Sequence, residues 1–228
     1  MAERIAYRFD EPVLIAGGGG LDAAALSRAE RHAGRIVAAD GAADALFRLG
    51  RMPSLIVGDL DSLASRDDWR ARGVPLHRLE EQETTDFEKV LYSVDAPLFL
   101  AAGFTGRRLD HALAVLRTVA FEPRPVILVG EHDAIFAVRG SHGIALPEGT
   151  RFSLFPMATA RGLSSEGLRW PIEGLDFAPW GRVGTSNVVT RGPVRICVEG
   201  SGMLAMVPVN HLDAVVASIA TGEENTGS

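Results

Sequence analysis

Five aspartates stand where short apolar runs give way to glycine, serine or helix-forming residues: Asp40 in Ala39-Asp40-Gly41-Ala42, Asp59 and Asp61 in Val57-Gly58-Asp59-Leu60-Asp61-Ser62, Asp86 in Thr84-Thr85-Asp86-Phe87-Glu88-Lys89, and Asp110 in Arg108-Leu109-Asp110-His111. Carboxylates so placed suit two jobs. Aspartate is a favoured helix N-cap, and each of these positions precedes a helical pattern; Thr85 with Glu88 also makes a Thr-x-x-Glu capping box. Asp59 and Asp61, however, are two apart as the chain leaves a strand, and extended residues at i and i+2 point to the same side. Carboxylates that close repel unless a cation lies between them, and hard oxygen donors suit Mg²⁺. The pair is a candidate metal site with Asp86 as third ligand. Because Mg²⁺ fills its octahedron with water and phosphate oxygens, the chemistry this predicts is the holding of a nucleoside triphosphate.

Other residues fit that chemistry. The run Gly17 to Gly20, with Gly18 and Gly19 at its centre, can bring backbone N–H groups close to phosphates before a helix, although it lacks the Gly-Lys-Ser/Thr ending of a P-loop. Gly103 to Gly106 is a second glycine loop, followed by Arg107 and Arg108, whose guanidinium groups suit phosphate oxygens. Lys89 lies three residues after Asp86, on the same helix face, either as a simple ion pair or as a phosphate contact. It is the one lysine among 23 basic residues. Asp110 is a candidate general base, because a carboxylate bound to a metal loses basicity, and His111 is a second.

These residues need a scaffold that converges them. From Pro12 to Gly130, apolar runs alternate with helical patterns. Strands are expected at Val13–Ala16, Arg35–Ala39, Leu55–Val57, Leu98–Leu100 and Val126–Val129, and helices at Asp22–Ala33, Ala42–Leu49, Ser65–Ala71, Asp86–Ser93 and Asp110–Ala120. That rhythm predicts an α/β domain, doubly wound around a mostly parallel sheet. Ligands of such sheets bind beyond the carboxyl ends of the strands, where the aspartates lie.

After Gly130 the runs at Ala134–Val138, Ile144–Leu146, Arg151–Phe155, Asn187–Thr190, Val194–Val198 and Met203–Val207 have no helices between them. They predict a C-terminal antiparallel β-sandwich or small barrel, closed by a short helix over His211–Ala220 and a frayed tail from Thr221. The expected domains are thus 1–130 and 131–228.

Composition narrows the partners. A net charge of −6 argues against a non-specific grip on nucleic acid or on an anionic membrane. No apolar run approaches the ~20 residues that span a bilayer, and Met1-Ala2-Glu3-Arg4 opens onto no signal-peptide core. The single cysteine, Cys197, reads as a buried structural thiol, and the chain fits a reducing cytoplasm.

Taken together, Asp40-Gly41-Ala42, Gly58-Asp59-Leu60-Asp61-Ser62, Gln82 with Thr85-Asp86-Phe87-Glu88-Lys89, Gly103 through His111, and Ser186-Asn187 resemble the thiamine pyrophosphokinase family. The resemblance implies an N-terminal α/β domain for ATP and Mg²⁺ and a C-terminal β-sandwich, paired as a homodimer with thiamine at the subunit interface. It implies transfer of a pyrophosphoryl group from ATP to the hydroxyl of thiamine, releasing AMP. On this resemblance Asp59, Asp61 and Asp86 hold Mg²⁺, while Asp40, Arg108 and Asp110 contact ATP. Gln82, Ser186 and Asn187 face thiamine beside an aromatic wall assigned to Trp170; Trp170 and Trp180 are alternatively sandwich core or dimer contacts, with core favoured for Trp180. Gly106-Arg107-Arg108 replaces the family's frequent Gly-Gly-Arg, and Glu81 stands where an aspartate is common. A sister pyrophosphokinase for another heterocyclic alcohol, such as a hydroxymethylpterin, and a non-catalytic thiamine or nucleotide sensor are the rival readings.

Overall fold

A computed structural model describes residues 5–106 and 108–221. Arg107 of the second glycine loop, the first four residues and the tail after Thr221 lie outside the described residues. The chain divides into two compact units. One holds the described residues up to Thr118 with Leu128–Glu131; the other holds Val119–Ile127 and the described residues from His132 onward.

The first unit runs β1 (Tyr7–Arg8), β2 (Val13–Ala16), α1 (Ala23–Glu30), β3 (Arg35–Ala39), α2 (Ala42–Arg48), β4 (Leu55–Gly58), α3 (Arg66–Ala71), β5 (Leu76–Arg78), α4 (Asp86–Ser93), β6 (Val94–Asp95) and β7 (Phe99–Ala102). Helix α5 (Leu109–Phe121) and strand β8 (Val126–Val129) follow. Strands β7, β2, β3, β4 and β5 pair in that order, all parallel, with Val13 opposite both Arg35 and Phe99. Val13–Ala16 and Phe99–Ala102 have no exposed surface. Such unbroken apolar strands are what a sheet covered on both faces requires. The chain winds from β2 through β3 and β4 to β5, then returns to place β7 on the other side of β2. The order reverses at β2, so the crevice beyond the ends of β2 and β7 is the switch point where open α/β sheets bind ligands.

Caps start the helices where the side-chain chemistry allows. Asp22 accepts from the amides of Ala24 and Ala25 at α1, Ser65 caps α3, and Thr85 with Glu88 forms a complete capping box at α4. Strand β5 lacks a clear sequence signal because Leu76-His77-Arg78 is short and polar. The two-residue parallel pair of β1 and β6 had none either.

The second unit contains β9 (Asp133–Ile144), β10 (Arg151–Pro156), β11 (Ala160–Glu166), β12 (Asp176–Phe177), β13 (Gly184–Val188), β14 (Val194–Pro208), a 3₁₀ turn (Val209–His211) and α6 (Leu212–Thr221). The strands described within it pair antiparallel. Of the run expected at 144–146 only Ile144, the last residue of β9, is in a strand. The runs expected as separate strands at 134–138, and at 194–198 and 203–207, belong instead to two long strands, β9 and β14. These pair along both halves and bulge between Val198 and Met203, where Gly200 and Gly202 take φ of 99° and 80°. One half of β14 carries β11, the other β10. Strand β11 went unread because its inward positions are Ala160 and Gly162, which lack the β-branched signal. Two expectations of burial are corrected. Trp180 is 81% exposed in the loop after β12, since no strand carries it inward. Cys197 is only half-buried.

Candidate active site

Two glycine loops meet at the switch point. The amide of Gly17 donates to Ala102 at 2.8 Å and that of Gly19 to Gly103 at 2.8 Å. A Cβ on Gly106 would lie 1.1 Å from the carbonyl oxygen of Gly19, and one on Gly103, whose φ is 82°, would lie 2.3 Å from that of Gly17. Only glycine lets these backbones touch. Beside them opens a cleft of about 410 Å³, lined by Gly18, Gly19, Asp59, Gln82, Asp86 and Lys89 together with Thr84, Phe104 and His111. Phe104 is fixed against Phe87, with ring centroids 4.8 Å apart.

Lys89 is buried. Its Nζ stands 3.5 Å from Asp86 Oδ1 and 3.9 Å from Asp59 Oδ2, so the ammonium lies between a carboxylate of its own helix and one from the loop after β4. Burial pushes the Asp86 carboxyl up from its ordinary value; Lys89 opposes this, and the negative charges of Asp40 and Asp59 add to it. The backbone N–H of Asp61, donating to Asp59 Oδ1 at 3.1 Å, holds Asp59 below the ordinary range; Gln82 Nε2, at 3.2 Å from Asp59 Oδ2, acts in the same direction.

Asp40 is buried in the left-handed region, φ 46°, a conformation aspartate tolerates. Its Oδ2 accepts from the amide of Ser62 at 3.3 Å, while Oδ1 has no partner. A Cβ on Gly58 would press on Asp40 Cβ at 2.8 Å, and one on Gly41 on Ser62 Cβ at 2.8 Å. The glycines of the two motifs therefore allow the β3 and β4 loops to pack. Capping does not explain Asp40, Asp59, Asp61 or Asp86: the N-caps of α2, α3 and α4 are Gly41, Ser65 and Thr85.

The expected carboxylate pair is not aligned. Leu60 takes φ 66°, so the backbone between Asp59 and Asp61 is turned and the extended i, i+2 geometry does not apply. Asp59 faces the cleft; Asp61, 70% exposed, pairs with Arg66 at 2.7 Å. Among the described residues, no three His, Cys, Asp or Glu side chains stand close enough to hold a metal as they are. The oxygens of Asp59 and Asp86, with the unpartnered buried Oδ1 of Asp40, nevertheless have the hard-donor chemistry that Mg²⁺ takes. Asp110 pairs with Arg108 at 2.6 Å, and that hydrogen bond pushes its carboxyl down to about 2, which makes it a weak base. Neither lines the cleft, whereas His111 does.

The second unit carries Ser186, Asn187 and Trp170. Asn187 is buried; its Oδ1 accepts from the amides of Trp170 at 3.1 Å and Val188 at 2.9 Å, and its Nδ2 donates to the carbonyl of Trp170 at 2.7 Å. It therefore pins the backbone of Trp170, whose exposed ring has the Arg169 guanidinium carbon 5.6 Å from its centroid. Trp170 and Asn187 line a cavity of about 230 Å³. Ser186 is exposed with φ 64°, its amide bonded to Ser153 Oγ at 3.0 Å.

Residues 26–128 match the family model described as the thiamin pyrophosphokinase catalytic domain, and residues 140–201 match that of the thiamin pyrophosphokinase vitamin B1 binding domain. The chain belongs to the thiamine pyrophosphokinase family. A curated relative, thiamine pyrophosphokinase 1 of Oryza sativa subsp. japonica, is 25% identical over 194 residues, covering 70% of this chain and 74% of that protein. Among solved structures, thiamin pyrophosphokinase from Candida albicans superposes with a TM-score of 0.71 at 19% identity, over 87% of this chain and 88% of that one. The yeast enzyme gives 0.72 at 18% identity, over 93% and 94%. At these identities the two structures show a shared fold. In this thiamine pyrophosphokinase family member Thr84 and Phe104 line the cleft with no signal in the sequence, since neither residue type marks chemistry.

Proposed function

We propose that the chain transfers the pyrophosphoryl group of ATP to the hydroxyl of thiamine, releasing AMP and thiamine diphosphate, in the cytoplasm and as a homodimer with thiamine at the subunit interface. The first unit would be the ATP domain and the second, read as a β-sandwich, the thiamine domain. The observation that carries this reading is the cleft at the sheet's switch point, where two glycine loops face Asp59, Asp86 and a buried lysine.

Phosphoryl-type transfer leaves the protein little covalent work, so positioning and charge neutralisation dominate. The amide of Gly18 would receive a phosphate oxygen, with the Gly19 amide donating to Gly103 and holding the loop in place, and Lys89 would add positive charge from a desolvated position, where it acts more strongly than at the surface. Mg²⁺ would be held by Asp59 and Asp86, with Asp61 joining them on leaving Arg66, an exposed pair worth little. When bound it supplies Lewis-acid neutralisation of phosphate charge. Asp40, Arg108 and Asp110 would complete the nucleotide contacts. Gln82, Ser186 and Asn187 would recognise thiamine, a cation that suits an acidic site, and the exposed indole of Trp170 would stack on it.

Folded protein mixed with ATP, Mg²⁺ and thiamine should yield AMP and thiamine diphosphate by nucleotide chromatography; no AMP, or ADP in its place, overturns the reading. Asp61→Asn should abolish turnover without moving thermal stability, and an active variant removes Asp61 from the metal set.

A further inference from the structure

The turn ahead of α4 is organised by one carboxylate that the mechanism above does not use. Glu81 Oε1 accepts from the hydroxyls of Thr84 and, at 2.6 Å, Tyr92; Oε2 accepts from the backbone amides of Glu83 at 2.8 Å and Thr84 at 3.1 Å. Tyr92 sits in the last turn of α4, so the carboxylate ties the turn back along the helix that this same turn enters. Within it lies Gln82, whose Nε2 reaches Asp59 at 3.2 Å, and Gln82, Glu83 and Thr84 all line the cleft.

We infer that Glu81 is a positioning residue: by gathering four donors it locks the 82–84 turn against α4 and sets Gln82 on Asp59 at the mouth of the cleft. The carboxylate accepts from all four at once; the two backbone N–H groups can only donate, whereas the Thr84 and Tyr92 hydroxyls could turn to accept from an amide, so truncation, not an amide, removes the contacts. The catalytic consequence rests on the proposed reading of Gln82 as a thiamine contact: loosening the turn weakens thiamine binding while Lys89 and the glycine loops keep their places.

The test compares Glu81→Ala and Tyr92→Phe with the unaltered protein, by hydrogen exchange over 79–87 and by steady-state kinetics. Glu81→Ala should speed exchange in that segment at least about tenfold, leaving β2 and β3 unchanged, and raise KM for thiamine about tenfold with KM for ATP within about twofold. Tyr92→Phe, which removes one donor and little packing, should move both readouts the same way by less. Unchanged exchange in both variants overturns the clamp. Faster exchange with equal rises in both KM values overturns its selective effect on Gln82. If the unaltered protein forms no AMP with thiamine, the proposed activity fails, yet the exchange arm still decides the clamp.

Discussion

Lys89 and Asp86 share a helix face by sequence spacing alone, but the placing of Asp59 against the same ammonium depends on the β4 loop packing over α4. A buried ammonium with contacts at 3.5 and 3.9 Å leaves little room for a wider guanidinium. Lys89→Arg should therefore cut kcat at least about tenfold although the charge is kept, as steady-state assays would record; full activity would reduce Lys89 to a structural ion pair. Asn187 supports a second residue-scale prediction. Its loss leaves the amide and carbonyl of Trp170 without their buried partner, at about 2 kcal/mol. Asn187→Ala should lower the melting temperature by about 4–8 °C, seen by calorimetry. The type and order of these residues were legible in the sequence. Their directions were not: Asp61 turns toward Arg66 because Leu60 takes φ 66°, and no spacing rule reports a left-handed leucine.

Elements were most readable where local chemistry and burial agree. Helix α4 runs over Asp86–Ser93 as expected, because Thr85 and Glu88 satisfy its first amides and Phe87, Val90 and Leu91 face inward. Thr85→Ala should cost about 1 kcal/mol, or about 2–4 °C of melting temperature, and circular dichroism melts would show it. Strand β11 was unreadable because small residues fill its inner face, and the two long strands were read as shorter ones because bulges interrupt their apolar runs. Helix α6 carries a pH prediction. Ser218 Oγ lies 3.2 Å from His142 Nε2 of β9, and burial pushes the His142 pKa below its ordinary 6.5. The unfolded chain then takes up the proton first as pH falls, so the neutral imidazole's contribution is complete above pH 6.5 and is lost below it, by about 1.4 kcal/mol per pH unit at most. Between pH 7.5 and 5.5 the unaltered protein should lose more melting temperature than His142→Gln; equal losses would show that His142 carries none of the dependence.

At the scale of the whole molecule, a chain of net charge −6 is asked to hold ATP. Lys89 is largely spent on two carboxylates, so the proposed nucleotide site depends on added divalent cation. Titration calorimetry should show ATP binding with Mg²⁺ and at least about tenfold weaker binding in a chelator; equal affinities would assign the phosphates to the glycine loops and Lys89 alone. No described helix is long and apolar enough to cross a membrane. The alternating apolar runs were enough to predict a parallel α/β unit followed by antiparallel strands, because burial on both sheet faces writes itself into local composition. The motif order was enough to point to the family. Folding added what depends on residues far apart in the chain. The reversal at β2 brings Gly17–Gly20 against Gly103–Gly106; the β4 loop delivers Asp59 to a lysine on α4; and Trp180, aromatic enough to suggest core, stays in solvent because no strand turns it inward. Burial of a charge and direction of a side chain are set by neighbours remote in sequence, and residue type alone carries no record of them.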